Sequence, residues 1–218
     1  MSSSGASSAR QRWQQHELVT LFQCPEFNGK PTDFKWATLL MLYHGLRPSE
    51  ACQLKVSDVI ESQGVPCLRV IADGEAQQVK NEGSERLVPL HPKILSRGFL
   101  SFVEERRQAC QLQLFSYLPT GDNEDWSREY CQALGRLQNK LGMKPKSRPT
   151  AYSFRHTVID ELKQLEVDEN IVAQLVGHKI TYGRYGKKYS VSLLKKHLSK
   201  LDYGPEMSLC FITRCFYW

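Results

Sequence analysis

No two of the seven cysteines (positions 24, 52, 67, 110, 131, 210 and 215) stand in a C-x-x-C pair, and their number is odd. Both facts argue against a disulfide framework or a zinc site, and the thiols read as reduced packing residues of a cytosolic protein. Nowhere does an apolar run approach the ~20 residues that a bilayer-spanning helix needs, and the N-terminus lacks the apolar core of a signal peptide. There is no internal repeat, which excludes a solenoid. Acidic residues fall short of basic ones, 23 against 29, so the net charge is +6. That balance mildly favours a polyanionic partner.

What is present suffices for a globular core: 41% of the 218 residues are hydrophobic, a length that fits one large domain or two small ones. The Ser- and Gly-rich start marks residues 1–12 as a disordered linker or tag remnant. Helical spacing begins at Trp13 and runs to Phe22, with Pro25 and Asn28-Gly29 as its end. A largely buried helix is expected from Phe34 to His44, stopped by Gly45, and a further one from Pro48 to about Leu54. Cys67–Ala72, Ala76–Lys80 and Arg86–Pro89 read as strands of a small antiparallel sheet around the Asp73-Gly74 turn. Helices follow at Pro92–Arg107, at Arg128–Leu141 with Ser127 as cap, and at Val191–Leu201. The fold class is mainly α with one small antiparallel β-sheet (α+β).

The densest chemistry lies in residues 150–189, which hold Tyr152, Arg155, His156, His178, Tyr185 and Tyr189. Two apolar stripes, Val158, Ile159, Leu162 and Leu165, then Ile171, Val172 and Leu175, recur at helical spacing and pin two short helices to the core. The polar groups therefore fall at helix ends and in the Val176-Gly177-His178 turn. An arginine and histidines near a tyrosine hydroxyl suit attack on a phosphodiester. There charge builds on the phosphate oxygens and the nucleophile must lose a proton.

In chain order the pieces are Gly45-Leu46-Arg47-Pro48-Ser49-Glu50, Lys80 ahead of a Ser84-x-Arg86-x-Val88-Pro89-Leu90-His91-Pro92 run, Tyr152-x-x-Arg155-His156-Thr157, Leu175-x-Gly177-His178, and Tyr185. This order resembles the tyrosine recombinase, or phage integrase, family, across the catalytic domain at residues 13–203. The resemblance implies an integrase catalytic-domain-like fold and a site-specific recombinase that works through a covalent 3′-phosphotyrosine, without metal, ATP or other cofactor. It assigns Arg47 and Arg155 to the non-bridging oxygens of the scissile phosphate, a task suited to a permanently charged planar fork of donors. Lys80 becomes the proton donor to the departing 5′ oxygen, His178 a phosphate ligand and proton-transfer aid, and Tyr185 the nucleophile. Glu50 orients Arg47, since a buried guanidinium needs a partner.

The chain departs from the family pattern at three points. Tyr152 stands where the family most often has histidine, and only a positioning role carries over. The interval from His178 to Tyr185 is short, which leaves Tyr182, Tyr185 and Tyr189 as rivals for the nucleophile. Thr181-Tyr-Gly-Arg-Tyr185 best fits the family's T-x-x-R-Y ending, with Tyr189 second and Tyr182 third. Too few residues precede Trp13 to build the family's N-terminal clamp domain, so an isolated catalytic domain is expected.

Singly, each residue has an ordinary explanation: a surface ion pair at Arg47 and Glu50, a solvated hairpin lysine at Lys80, a turn histidine at His178, packing aromatics at Tyr185 and Tyr189. Their joint order is what points to catalysis. Lys144, Lys146, Arg148, Lys187 and Lys188 are expected to touch DNA phosphates, setting affinity and salt sensitivity. The expected partners are a double-stranded DNA attachment site and, on DNA, further copies of the chain as a tetramer, with a monomer in isolation. The location expected is the cytoplasm of a bacterial or phage-infected cell. The tail, 204–218, ends in an aromatic Phe216-Tyr217-Trp218 run and, together with the segment from Leu193, is a candidate for exchange between protomers. A non-cleaving DNA-binding module and a type IB topoisomerase-like relaxing enzyme are the rival functions.

Overall fold

From Phe34 to His44 only Lys35 escapes full burial, so helix α3 (Thr32–His44) has no solvent face. A helix apolar all round belongs at the centre of a core, and the other elements wrap it in the computed structural model, which describes residues 12–71, 85–178 and 188–204. Before it come α1 (Gln15–Gln23) and one helical turn, α2 (Pro25–Asn28). Pro25 does end α1, but it also opens α2, because Cys24 Sγ accepts a hydrogen bond from the Phe27 amide and caps the turn. Gly45, in the left-handed region at φ 63°, stops α3 and turns the chain into α4 (Pro48–Cys52).

The sheet has the order β1-β2-β3 and is antiparallel, built from β1 (Val59–Ser62), β2 (Val65–Val70) and β3 (Arg86–Pro89). Val59 faces Leu68 across the first pair and Cys67 faces Pro89 across the second. The alternation of apolar residues did not foretell β1, whose Val59-Ile60-Glu61-Ser62 lacks that pattern. The strand expected at Ala76–Lys80 lies outside the described residues.

The single helix expected at Pro92–Arg107 is two, α5 (Pro92–Ser96) and α6 (Phe99–Gln108), divided at Gly98 with φ 81°. A left-handed residue breaks the hydrogen-bond ladder and restarts it in a new direction. α7 (Arg128–Lys140) follows as expected, but Ser127 does not cap it: its amide and hydroxyl both donate to Asp125. The chain then forms α8 (Ser153–Gln164), α9 (Glu169–Val176) and α10 (Val191–Leu198).

Aromatic stacking locks the outer helices to the core. Trp13 lies flat on Phe154 of α8, ring centroids 4.8 Å apart, and Phe34 of α3 stacks on Tyr130 of α7 at 4.8 Å. Two buried polar groups of this core are matched: the Tyr130 hydroxyl meets Thr38 Oγ1 at 2.8 Å, and Asp33 accepts from Arg106 and from the amide and hydroxyl of Ser116. Tyr203 is buried, its hydroxyl donating to the Leu42 carbonyl of α3 at 3.1 Å, so the start of the tail docks on its own protomer. Cys24, Cys52, Cys67, Cys110 and Cys131 are free thiols. Among the described residues no helix is long and apolar enough to cross a membrane.

Candidate active site

Four chain segments meet where α3 ends: the Gly45–Glu50 turn, the first residue of β3, the first turn of α8 and the end of α9. The turn contributes Arg47, whose amide donates to Glu50 Oε2 at 2.8 Å and whose Nη1 pairs with Glu50 Oε1. Its Nη2 reaches the Gly177 carbonyl at 3.1 Å, while its Nε is buried without a partner among the described residues. Glu50 is buried. Burial alone would raise its carboxyl, but the charge and hydrogen bonds of Arg86, then those of Arg47, outweigh it and hold the group lowered and ionised.

Arg155, on α8, is fully buried, an unusual place for an arginine. Its Nη1 donates to the Gly45 carbonyl at 2.8 Å, whereas Nε and Nη2 are buried with no partner among the described residues. Desolvation first, then repulsion by Arg47, lowers its pKa to about 10, so it stays charged at neutral pH. Arg86 is the residue that sequence reasoning missed. It pairs with Glu50 through Nη1 at 3.2 Å and Nη2 at 2.9 Å, and its Nε donates to the Leu175 carbonyl at 2.8 Å. The signal was present: Arg86 lies two residues before buried Val88, on the same strand face, and a charge on a buried face demands a buried partner.

α9 ends at Gly177, left-handed with φ 69°, where an added Cβ would lie 2.7 Å from Arg86 Nη1. Only glycine fits both the backbone conformation and the arginine beside it. His178 follows at the solvent edge. Partial desolvation, then the charges of Arg155, Arg47, His156 and Arg86, lowers its pKa to about 4, so the ring is neutral at pH 7. Tyr152, at the start of α8, is half-buried with its ring 5.1 Å from that of His156.

Arg47, Glu50, Tyr152, Arg155 and His178 are thus brought together, with Arg86 among them. Lys80, Tyr182, Tyr185 and Lys187 lie outside the described residues. Tyr189, half-buried, is fixed through its backbone, its amide donating to the Gln174 side chain and its carbonyl accepting from it. Of the basic residues, Lys144, Lys146 and Lys188 are exposed, while Arg148 is half-buried and folds back onto Asn139 and the Met143 carbonyl. Among the described residues the inner cluster holds three guanidinium groups and one carboxylate. That is a net positive pocket with donors unspent, and its chemistry is to bind an anion and stabilise charge on it.

Comparison with known proteins places the chain in a family. Residues 11–185 match the phage integrase family. A tyrosine recombinase XerA of Thermococcus kodakarensis is 27% identical over 164 residues, covering 74% of this chain and 53% of that protein. Among solved structures, the integrase of mycobacterium phage Brujita superposes with a TM-score of 0.62 at 18% identity, over 91% of this chain and 60% of that one. A lambda integrase tetramer bound to a Holliday junction gives a TM-score of 0.55 at 16% identity, over 85% and 52%. The chain spans about half the length of the curated relative it matches.

Proposed function

The chain belongs to the phage integrase family, and on that premise we propose that it is a site-specific recombinase that breaks and rejoins double-stranded DNA through a covalent 3′-phosphotyrosyl intermediate. The observation that carries this reading is Arg155, a fully buried guanidinium with two nitrogens unpartnered among the described residues, beside Arg47, Arg86 and a single carboxylate. A buried cationic cluster with unmet donors is costly unless an anion occupies it. A phosphodiester supplies that anion and accepts the free donors.

Arg47 and Arg155 bind the non-bridging oxygens of the scissile phosphate, and Tyr152 adds a positioning hydrogen bond. Tyr185 attacks phosphorus as its phenol proton passes to the free ring nitrogen of His178, the bond from phosphorus to the 5′ oxygen breaks, and Lys80 gives that oxygen its proton. The phosphotyrosine retains the energy of the broken linkage, so a second 5′ hydroxyl reverses the step and joins a new strand. His178, neutral in the anion-free pocket, donates a hydrogen bond to the phosphate. The bound anion offsets the surrounding arginine charges and raises the pKa of this histidine, readying it for proton transfer. Residues 13–203 form the catalytic unit, with Lys144, Lys146, Arg148, Lys187 and Lys188 on the DNA backbone outside it. The tetramer of lambda integrase on a Holliday junction supports assembly of this chain as a tetramer on DNA.

The test uses a pool of nicked duplexes of randomised sequence, from which a broken strand end diffuses away and traps the covalent state. Wild-type protein should yield a detergent-stable protein–DNA adduct, and Tyr185→Phe none. An adduct that persists in that variant reassigns the nucleophile, with Tyr189→Phe next. Binding with no adduct at any sequence sinks the recombinase reading in favour of a non-cleaving DNA-binding module. Relaxation of arbitrary supercoiled plasmid replaces it with a type IB topoisomerase activity.

A further inference from the structure

Arg86 has no step in the chemistry above, yet all three of its nitrogen positions are engaged inside the site. We propose that Arg86 is a positioning residue that holds Glu50 and the end of α9 in one plane, so that Arg47 stays aimed, the site keeps a positive balance and His178 is presented to the phosphate. The proposal rests on the reading of this pocket as a phosphodiester site.

Three observations carry it. First, Nη1 and Nη2 of Arg86 take both oxygens of Glu50, at 3.2 and 2.9 Å, while Nε takes the Leu175 carbonyl at 2.8 Å. A planar fork with a third donor in the same plane fixes α4 relative to α9, which the single ammonium of lysine cannot do. Second, Glu50 also accepts from the Arg47 amide and Nη1. With no Arg86, that buried carboxylate would pair with Arg47 alone and cancel the charge the phosphate needs. With Arg86 holding both of its oxygens, one carboxylate orients Arg47 and leaves the pocket positive.

Third, Gly177 is held between the two arginines. Arg47 Nη2 donates to its carbonyl at 3.1 Å, and Arg86 packs so close that a Cβ would lie 2.7 Å from Nη1. His178 is the next residue, so its placement follows from the same contact.

The experiment compares wild type, Arg86→Lys, Arg86→Gln, Glu50→Gln and the double variant Glu50→Gln/Arg86→Gln as full chains. On a trapped nicked duplex that wild type cleaves, adduct formation at saturating DNA should slow about 10²-fold in Arg86→Lys and Arg86→Gln, the scale of losing one aligned donor. The dissociation constant for that duplex should move less than about 3-fold, a split that general unfolding does not produce. The double variant removes both buried charges together and folds even if Arg86→Gln does not. Its cleavage defect should be smaller than the product of the two single defects, because Arg86 acts through Glu50. In the absence of DNA, the His178 imidazole should titrate above its wild-type value of about 4 in Arg86→Gln, as read by NMR. Folded Arg86 variants that cleave at the wild-type rate overturn the proposal, as do multiplicative defects of Glu50→Gln and Arg86→Gln. If wild type itself forms no adduct, the recombinase reading fails separately, and inorganic phosphate becomes the probe. Unchanged phosphate binding and His178 titration in Arg86→Gln would then overturn the positioning role by itself.

Discussion

Glu50 is a buried carboxylate serving two arginines, and removing it takes a counter-charge from each. Glu50→Ala deletes the carboxylate that both terminal nitrogens of buried Arg86 hold. Breaking such a pair from one side is expected to cost about 3–5 kcal/mol in urea denaturation, whereas replacing both members is milder. A second residue-scale prediction concerns His44. Its Nδ1 can only donate to the Leu40 carbonyl, at 3.2 Å, and its Nε2 can only accept from the His91 amide, at 3.0 Å, so the buried ring must be neutral. Burial, followed by the neighbouring His91, lowers its pKa to about 3. The unfolded chain therefore binds a proton first. The stability His44 contributes is complete above about pH 6.5 and is lost at ~1.4 kcal/mol per unit as pH falls towards about 3. His91, lowered to about 4, acts in the same direction. Unfolding free energies measured from pH 7 to 4 should show this acid loss in wild type and a flatter profile in His44→Gln. Neither histidine's role was legible in the sequence, because the partners that fix the tautomer are backbone groups brought together only by folding.

At the scale of elements, two glycines with the same left-handed backbone predict different outcomes. Gly98, between α5 and α6, has open space where a Cβ would stand. Gly98→Ala should cost only the conformational strain, about 1–2 kcal/mol in a thermal or urea melt. Gly177 has the strain and a 2.7 Å clash with Arg86 as well. Gly177→Ala should be clearly more destabilising, and should displace the Arg47 contact and with it any strand cleavage. The reverse ranking would show that Arg86 yields easily and that the α9 end does not set the geometry. Apolar spacing located α3, α7, α8 and α9 to within a few residues, since that signal is the burial itself. It failed at β1, which lacks alternation, and at Gly98, where one backbone dihedral split a helix whose side chains still read as continuous.

For the whole molecule, the expected consequence of a phosphate-binding face is salt dependence. Replacing Lys144 and Lys146, both exposed, with glutamine should weaken DNA binding evenly across sequences. It should also reduce the slope of log affinity against log salt by about 2, near 0.9 per contact. A slope equal to that of wild type would move the DNA path away from this turn. Truncation after Gly204 should leave the melting temperature unchanged, because Tyr203 still docks on α3 and its carbonyl still accepts from Gln15. The same truncation should alter assembly on DNA if residues 205–218 pass between protomers. Identical complexes with and without them would remove the tail from that role.

The order of Arg47, Arg155 and Gly177-His178, the helical fold class and the family were all written in the sequence, because each depends on local spacing that survives without the rest of the chain. The sequence also ranked Tyr185 ahead of Tyr189, whose backbone is fixed by Gln174. Only the tertiary structure decided that Glu50 is shared, that Arg86 holds both of its oxygens and that Arg155 is buried with donors to spare. Those are statements about which charges lie within a few ångströms of each other in a medium of low polarity. Residues from four separate segments meet only when the chain packs around α3, so no window of sequence contains them.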